Sequence, residues 1–326
     1  MRSGRRPVVL LLLCGLALFA VVQWRAGANE KAAEAAYPPS GQFVDIDGTR
    51  IHMHVSGAGP DVVLIHGASG SLRDATFRLA GLLEKDFRVI AMDRPGMGWS
   101  DRPPGYGGIW NVAPEPPALQ AQLLQKAADT AGVTNPVVVG HSYGGAVALA
   151  WALERPEDTA ALVLLAAASN PWEGDLGALY RINSSRIGSA FVIPLITAFA
   201  PRSTVEDTVS SIFEPQEVPD GYLEHFGPQM TLRRGTMRAN AQQVNGLRPF
   251  IVEMSRQYNT LKMPVEIVHG TEDTIVPLHV HSEPLDSQID SAVLTRLEGV
   301  GHMPQHVRTE EVLAAIGRAA ARAGLR

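Results

Sequence analysis

An uninterrupted apolar run from Val8 to Val22 opens the chain, with Arg2, Arg5 and Arg6 before it and Gln23, Trp24 and Arg25 after it. Positive flank, apolar stretch and polar close are the order of an export or anchoring segment, assigned to residues 1–28. As a helix, the fifteen residues of the run rise about 22 Å against a hydrocarbon core of about 30 Å, short for a span and in the range of a signal peptide. Ala26-Gly27-Ala28 supplies a small-x-small cleavage pattern. Cleaved or retained, the segment places the rest of the chain outside the cytoplasm, in the cell envelope, with the arginines on the cytoplasmic side. If retained, it makes the membrane a partner. Residues 29–42, rich in alanine and containing Pro38-Pro39, read as a flexible spacer.

From Phe43 onward the pattern changes to short β-branched runs alternating with helical periods. Phe43–Ile46 and Arg50–Val55 flank Asp47-Gly48, a hairpin signal. Val62–His66, Phe87–Met92, Pro136–Gly140 and Leu162–Ala166 are short apolar runs closed by turn residues, as in strands buried on both faces. Leu119, Leu123, Leu124, Ala127 and Ala131 mark one face of a helix, and Ala146–Glu154 follows as a helix of small residues. The alternation stops after Ala168 and resumes at Val265–His269 and Val293–Leu297, before a last helix over Glu310–Ala323. The expectation is an α/β fold, a mostly parallel central sheet with helices on both faces. Residues 43–169 and 261–326 form its core, and residues 170–260 an inserted helical cap.

Charge and cysteine content narrow the chemistry. The formal net charge of -5 leaves no basic footprint for nucleic acid. Cys14, the single cysteine, lies inside the apolar run, so the folded part contains neither a disulfide nor a thiolate metal cluster. His279 and His281 stand two apart without a third ligand, a poor metal site. No metal and no cofactor are expected, and the partner is a small-molecule substrate.

Gly140-His141-Ser142-Tyr143-Gly144 has the form Gly-x-Ser-x-Gly between the strand residues Val137-Val138-Val139 and a helix that opens with Gly144-Gly145-Ala146. A serine on such a turn is held in a strained conformation with its hydroxyl above the sheet. In this context the chain, from about Phe43 to Ala323, resembles the α/β-hydrolase fold superfamily, of the capped serine hydrolase and esterase type. A serine hydroxyl needs a base, and the base a third group that fixes its tautomer. The resemblance implies the chain order Ser, acid, His. It places the acid at Asp273, in Gly270-Thr271-Glu272-Asp273-Thr274-Ile275-Val276-Pro277, with Glu272 as the nearby rival. The base falls at His302 in Gly299-Val300-Gly301-His302-Met303-Pro304.

His66-Gly67-Ala68-Ser69-Gly70 resembles the family's oxyanion loop, which implies that the backbone N–H groups of Ala68 and Tyr143 stabilise a tetrahedral oxyanion. His66 itself is expected to brace that loop, and Asp93–Ser100 to serve site architecture. His306 reads as a surface residue at a helix start, and His141 as structural. Trp172, Phe191, Ile193, Leu195, Ile196, Phe199, Phe213, Phe226 and the methionines 230, 237, 254 and 263 are the apolar stock of the cap, of which about a quarter is expected to face substrate. Arg233, Arg234 and Arg238 read as a solvated helix face. The resemblance implies a hydrolase that acylates Ser142 and cleaves a small, apolar carboxylic ester. The same triad serves C–C bond or amide hydrolysis and perhydrolysis, while epoxide hydrolases and haloalkane dehalogenases carry an aspartate where this chain has Ser142. A protein of the same fold that only binds a small ligand is the reading of another class.

Overall fold

The structure, a computed structural model, describes residues 5–326, with side chains from residue 7 onward. The basic cluster at Arg2, Arg5 and Arg6 therefore lies outside the described residues, save for the backbone of the last two. Eight strands form one sheet: β1 (Gln42–Ile46), β2 (Thr49–Gly57), β3 (Asp61–Ile65), β4 (Arg88–Met92), β5 (Val137–His141), β6 (Ala161–Leu165), β7 (Val265–Gly270) and β8 (Ala292–Leu297). Their order is β1-β2-β4-β3-β5-β6-β7-β8. The hairpin β1–β2 and the β2–β4 pairing are antiparallel, and the other pairings are parallel. Each strand expected from the hydrophobic pattern is present, with ends displaced by a residue or two.

The sheet is buried on both faces because its side chains alternate into two apolar layers. Val63 and Ile65 of β3 enter the layer with Leu124 and Leu149, from the helices Pro117–Thr130 and Tyr143–Glu154. Val62 and Leu64 enter the opposite layer, with Leu83 and with Ile316 of the terminal helix Thr309–Arg322. The helix after the serine begins at Tyr143, three residues earlier than its pattern of small residues suggested, because Ser142 is itself the turn. Between β6 and β7 the chain is helical, from Ala178–Ser184 to Leu247–Ser255, and contains no strand.

The N-terminal segment departs from the expectation. One helix runs from Arg5 to Ala36, so most of the stretch read as a flexible spacer is helical and docked on the cap. Arg25 Nε donates to the Ala198 carbonyl at 2.7 Å and Asn29 Nδ2 to the Thr197 carbonyl at 2.9 Å. Glu30 pairs with Arg234 at 2.6 Å, and Glu34 with Arg233 at 3.1 Å. Arg233 and Arg234 are thus partners of the N-terminal helix and not a solvated face, while Arg238 is buried and donates to the Ser189 carbonyl. These pairs join residues about two hundred positions apart, beyond any local pattern.

Candidate active site

The carboxyl ends of β3, β5, β7 and β8 deliver their loops to one point, the place where open α/β sheets bind ligands. Ser142 follows β5 at φ 53°, ψ −120°, a left-handed conformation that costs a non-glycine residue of order 1–3 kcal/mol. Its N–H donates to the Leu165 carbonyl at 2.9 Å, and its carbonyl accepts from Gly145 and Ala168, so the end of β6 and the helix that follows hold the turn. Gly144 is required here by close approach. A Cβ at that position would overlap the carbonyl oxygens of Ile65 and His66.

His302 Nε2 lies 2.9 Å from Ser142 Oγ, and its Nδ1 lies 2.7 Å from Asp273 Oδ2. Asp273 Oδ1 accepts from the N–H groups of Ile275 and Val276, both at 2.9 Å. Its Oδ2 also accepts from His269 Nε2 at 3.1 Å. His269 Nε2 faces a carboxylate and the Val276 carbonyl, so it carries the proton, and its Nδ1 accepts from Ser282 Oγ at 2.6 Å. Burial alone would raise the Asp273 carboxyl. The hydrogen bonds from His269 and His302, with the electrostatic attraction of the two rings, outweigh that and hold it well below the usual carboxylate range. Glu272 is exposed and takes no part in this chain of hydrogen bonds.

The loop after β3 faces the serine. A Cβ on Gly67 would stand 3.1 Å from Ser142 Cβ, so glycine lets the loop close on Ser142. Among the described residues no acceptor engages the N–H of Ala68, and that of Tyr143 opens a helix, where the first N–H groups have no intrahelical partner. His66 braces the loop. Its Nδ1 donates to the Gly67 carbonyl at 2.8 Å, and its Nε2 accepts the Arg94 N–H at 2.9 Å. The Arg94 guanidinium, fully buried, donates to the carbonyls of His66 and Gly67 and to the side-chain oxygens of Gln120 and Gln243. It also lies 4.3 Å from the Tyr143 ring centroid. Burial pulls Arg94 down to about 10 and pushes the Tyr143 phenol up to about 12.

Four further contacts escaped the sequence reading. Asn240 of the cap accepts the Ser69 N–H at 2.7 Å and donates to Ser69 Oγ at 2.8 Å, tying cap to loop. His306 is not a surface residue: it is buried, with Nε2 2.8 Å from Asp74 Oδ1. Asp74 also accepts from Tyr222 Oη at 2.7 Å and from Gln305 Nε2 at 3.3 Å. Burial opposes its ionisation, but the charge and hydrogen bond of His306 prevail and hold it well below the carboxylate range. The cluster bolts the cap, through Tyr222, to the segment that follows His302. Asp74→Ala leaves a buried hydroxyl and imidazole without their acceptor, and is expected to lower the unfolding free energy by about 3 kcal/mol. Urea denaturation checks this; a change under about 0.5 kcal/mol, the size of an ordinary surface substitution, contradicts it.

Burial pulls His66, His141 and His281 down to about 4, His66 with help from Arg94 and His141 with help from His302. A histidine kept neutral in the folded state protonates first in the unfolded chain. Stability is therefore full above about 6.5 and falls as pH drops from there to about 4. The expected loss across that window is on the order of 3 kcal/mol for each fully buried imidazole. Denaturation midpoints that stay flat between pH 6.5 and 4 contradict this.

Ser142, His302 and the loop of Ala68 open into a cavity of about 480 Å³ between core and cap. Ile196, Phe213, Phe226 and Met237 of the cap's apolar stock line it, while Phe191, Leu195 and Phe199 point outward. The profile of the alpha/beta hydrolase family matches residues 62–315.

The chain belongs to the alpha/beta hydrolase family. It is 31% identical over 276 residues to a 2-hydroxymuconate semialdehyde hydrolase of Pseudomonas sp. (strain CF600), covering 82% of this chain and 89% of that protein. Among solved structures, it resembles an alpha/beta hydrolase fold protein of Burkholderia ambifaria with a TM-score of 0.69 at 24% identity, over 85% of this chain and 97% of the other. A bacterial membrane phospholipase A has a TM-score of 0.66 at 22% identity, over 100% of this chain and 99% of the other. This alpha/beta hydrolase is a hydrolytic enzyme by its relatives.

Proposed function

We propose that the protein is a serine esterase, cleaving an apolar carboxylic ester through an acyl-enzyme on Ser142. The observation that carries this reading is the unbroken hydrogen-bonded chain Ser142–His302–Asp273 at the floor of an apolar cavity. Ser142 Oγ attacks the ester carbonyl carbon as its proton passes to His302 Nε2. The oxyanion accepts hydrogen bonds from the N–H groups of Ala68 and Tyr143, each worth about 10² to 10³ in rate. Collapse expels the alcohol, which takes the proton from His302. Water, deprotonated by His302, then attacks the acyl carbonyl and releases the acid and Ser142.

The relative that hydrolyses 2-hydroxymuconate semialdehyde favours a second reading, C–C bond hydrolysis with the same triad. Such a substrate carries a carboxylate. Among the described residues no lysine or arginine lines the cavity, and its one carboxylate is Asp74, a lining that disfavours an anionic substrate. Assays on p-nitrophenyl esters of graded chain length, beside 2-hydroxymuconate semialdehyde, test the choice. Hydrolysis of the esters is expected; turnover of the semialdehyde alone overturns the ester reading.

The N-terminal helix is read as a retained membrane anchor. The cleavage pattern at Ala26-Gly27-Ala28 lies inside a continuous helix, with Ala26 buried against Ala198 and Arg25 bonded to the cap. Removal would sever these contacts with the cap. The intact mass of native protein from membranes is expected to include residues 1–28; a chain beginning at Asn29 contradicts retention.

A further inference from the structure

The cap helix Ile193–Phe199 continues a π-turn over Gly188–Val192 and meets the helix Ala178–Ser184 at 90°. Its inner side is packed: Ser189, Ile193 and Thr197 are buried. Its outer side is apolar. Ile187, Phe191, Leu195 and Phe199, each four residues from the next, are 72, 52, 48 and 49% exposed. With one side packed inward, a contiguous exposed stripe of large apolar side chains marks an interaction surface.

The neighbour of the stripe says what covers it. Phe19, in the apolar run of the N-terminal helix, meets the Phe191 ring at 6.0 Å between centroids. Arg25, at the polar end of that run, lies 5.0 Å from the Phe199 centroid. The two helices therefore run parallel here, and each point of the stripe sits beside a definite level of the anchor. A bilayer that surrounds Phe19 surrounds Phe191 as well. Trp24, exposed beside Arg25, has the amphipathic ring found at the headgroup level. The stripe then descends from the interface at Phe199 to Ile187, about 18 Å along the helix. Leu179, 61% exposed, lies in the helix Ala178–Ser184 that precedes the stripe's lower end, and it also lines the catalytic cavity.

We propose that the stripe Ile187–Phe199 lies in the bilayer beside the N-terminal helix. The Ser142 cavity then opens at Leu179 toward lipid, and takes as substrate a long-chain amphipathic ester resident in the membrane. The substrate class rests on the serine-esterase reading; the location of the stripe does not.

The test uses the full chain in vesicles of phosphatidylcholine and phosphatidylglycerol. With Cys14→Ser as background, an environment-sensitive fluorophore on Leu195→Cys is expected to be blue-shifted and quenched by nitroxide-bearing lipid at least twofold more than the same label on Lys85→Cys, a residue exposed far from the anchor. A label at residue 195 in water, unshifted and unquenched, overturns the proposal. So does a blue-shifted label that nitroxide lipid cannot reach, which would mean that a second copy of the chain covers the stripe. Phe191→Asp with Leu195→Asp is expected to lower hydrolysis of a long-chain ester in vesicles at least tenfold, leaving soluble p-nitrophenyl butyrate within twofold. Equal effects on both esters, in a variant that keeps its melting temperature, contradict delivery from lipid. A wild-type chain inactive on every ester removes the substrate class, while the quenching result still decides where the stripe lies.

Discussion

Ser142→Ala and His302→Ala are each expected to lower kcat on the best ester by about 10⁴- to 10⁶-fold without unfolding the protein, and the double variant is expected to be hardly worse than either. In the proposed mechanism the serine and its base act in one step, so losing one removes the use of the other. Stability is spared for a local reason. The Ser142 hydroxyl has one hydrogen-bond partner among the described residues, His302, and the turn itself is held by backbone bonds to Leu165, Gly145 and Ala168. With His302 gone, the Asp273 carboxylate keeps His269 and the N–H groups of Ile275 and Val276, so it is not left as an uncompensated buried charge. Steady-state kinetics and thermal unfolding of the three variants check this. A single variant within tenfold of wild type, or a double variant that multiplies the two losses, contradicts it.

Much of the sheet was legible because strands buried on both faces must be continuous apolar runs, as Val62–Ile65 and Val137–Val139 are. The serine turn was legible for a related reason: the packing leaves no space for a Cβ at Gly144, so the spacing of small residues is itself a record of the geometry. The same holds for the local frame of Asp273, whose acceptors are filled by Ile275 and Val276, two and three residues on. What escaped are pairings that no window contains. Asp74 meets His306 and Tyr222, and Ser69 meets Asn240, across 148 to 232 positions. Asn29–Ala36 is different, since its Ala, Glu and Lys content favours a helix, and the nearby Pro38-Pro39 drew the reading toward a spacer. The outward stripe of the cap was read as ordinary cap stock because hydrophobicity alone does not say which face of a helix is covered.

Asp273→Asn is expected to cost about 10⁴-fold in kcat, with the fold retained. The amide oxygen must take the place of Oδ1, where two N–H groups point at it. That puts the amide nitrogen at Oδ2, facing His302 Nδ1 and His269 Nε2. Two donors then meet, and His302 relieves the clash by accepting on Nδ1 and carrying its proton on Nε2. In that tautomer it cannot take the Ser142 proton. Glu272→Gln, at an exposed side chain outside this chain of bonds, is expected to stay within twofold. Parallel kinetics on the two variants check the assignment; a silent Asp273→Asn beside a crippled Glu272→Gln would reverse it.

The most direct test of Ser142 as an activated nucleophile is covalent. The native protein is treated with a fluorophosphonate and digested, and the adduct is located by mass spectrometry. One adduct per chain is expected, on the peptide that contains Ser142, with ester hydrolysis lost in proportion to labelling and no adduct on Ser142→Ala. A wild-type chain that hydrolyses its ester yet takes no label at Ser142, or a Ser142→Ala chain that labels and hydrolyses as before, would contradict the account.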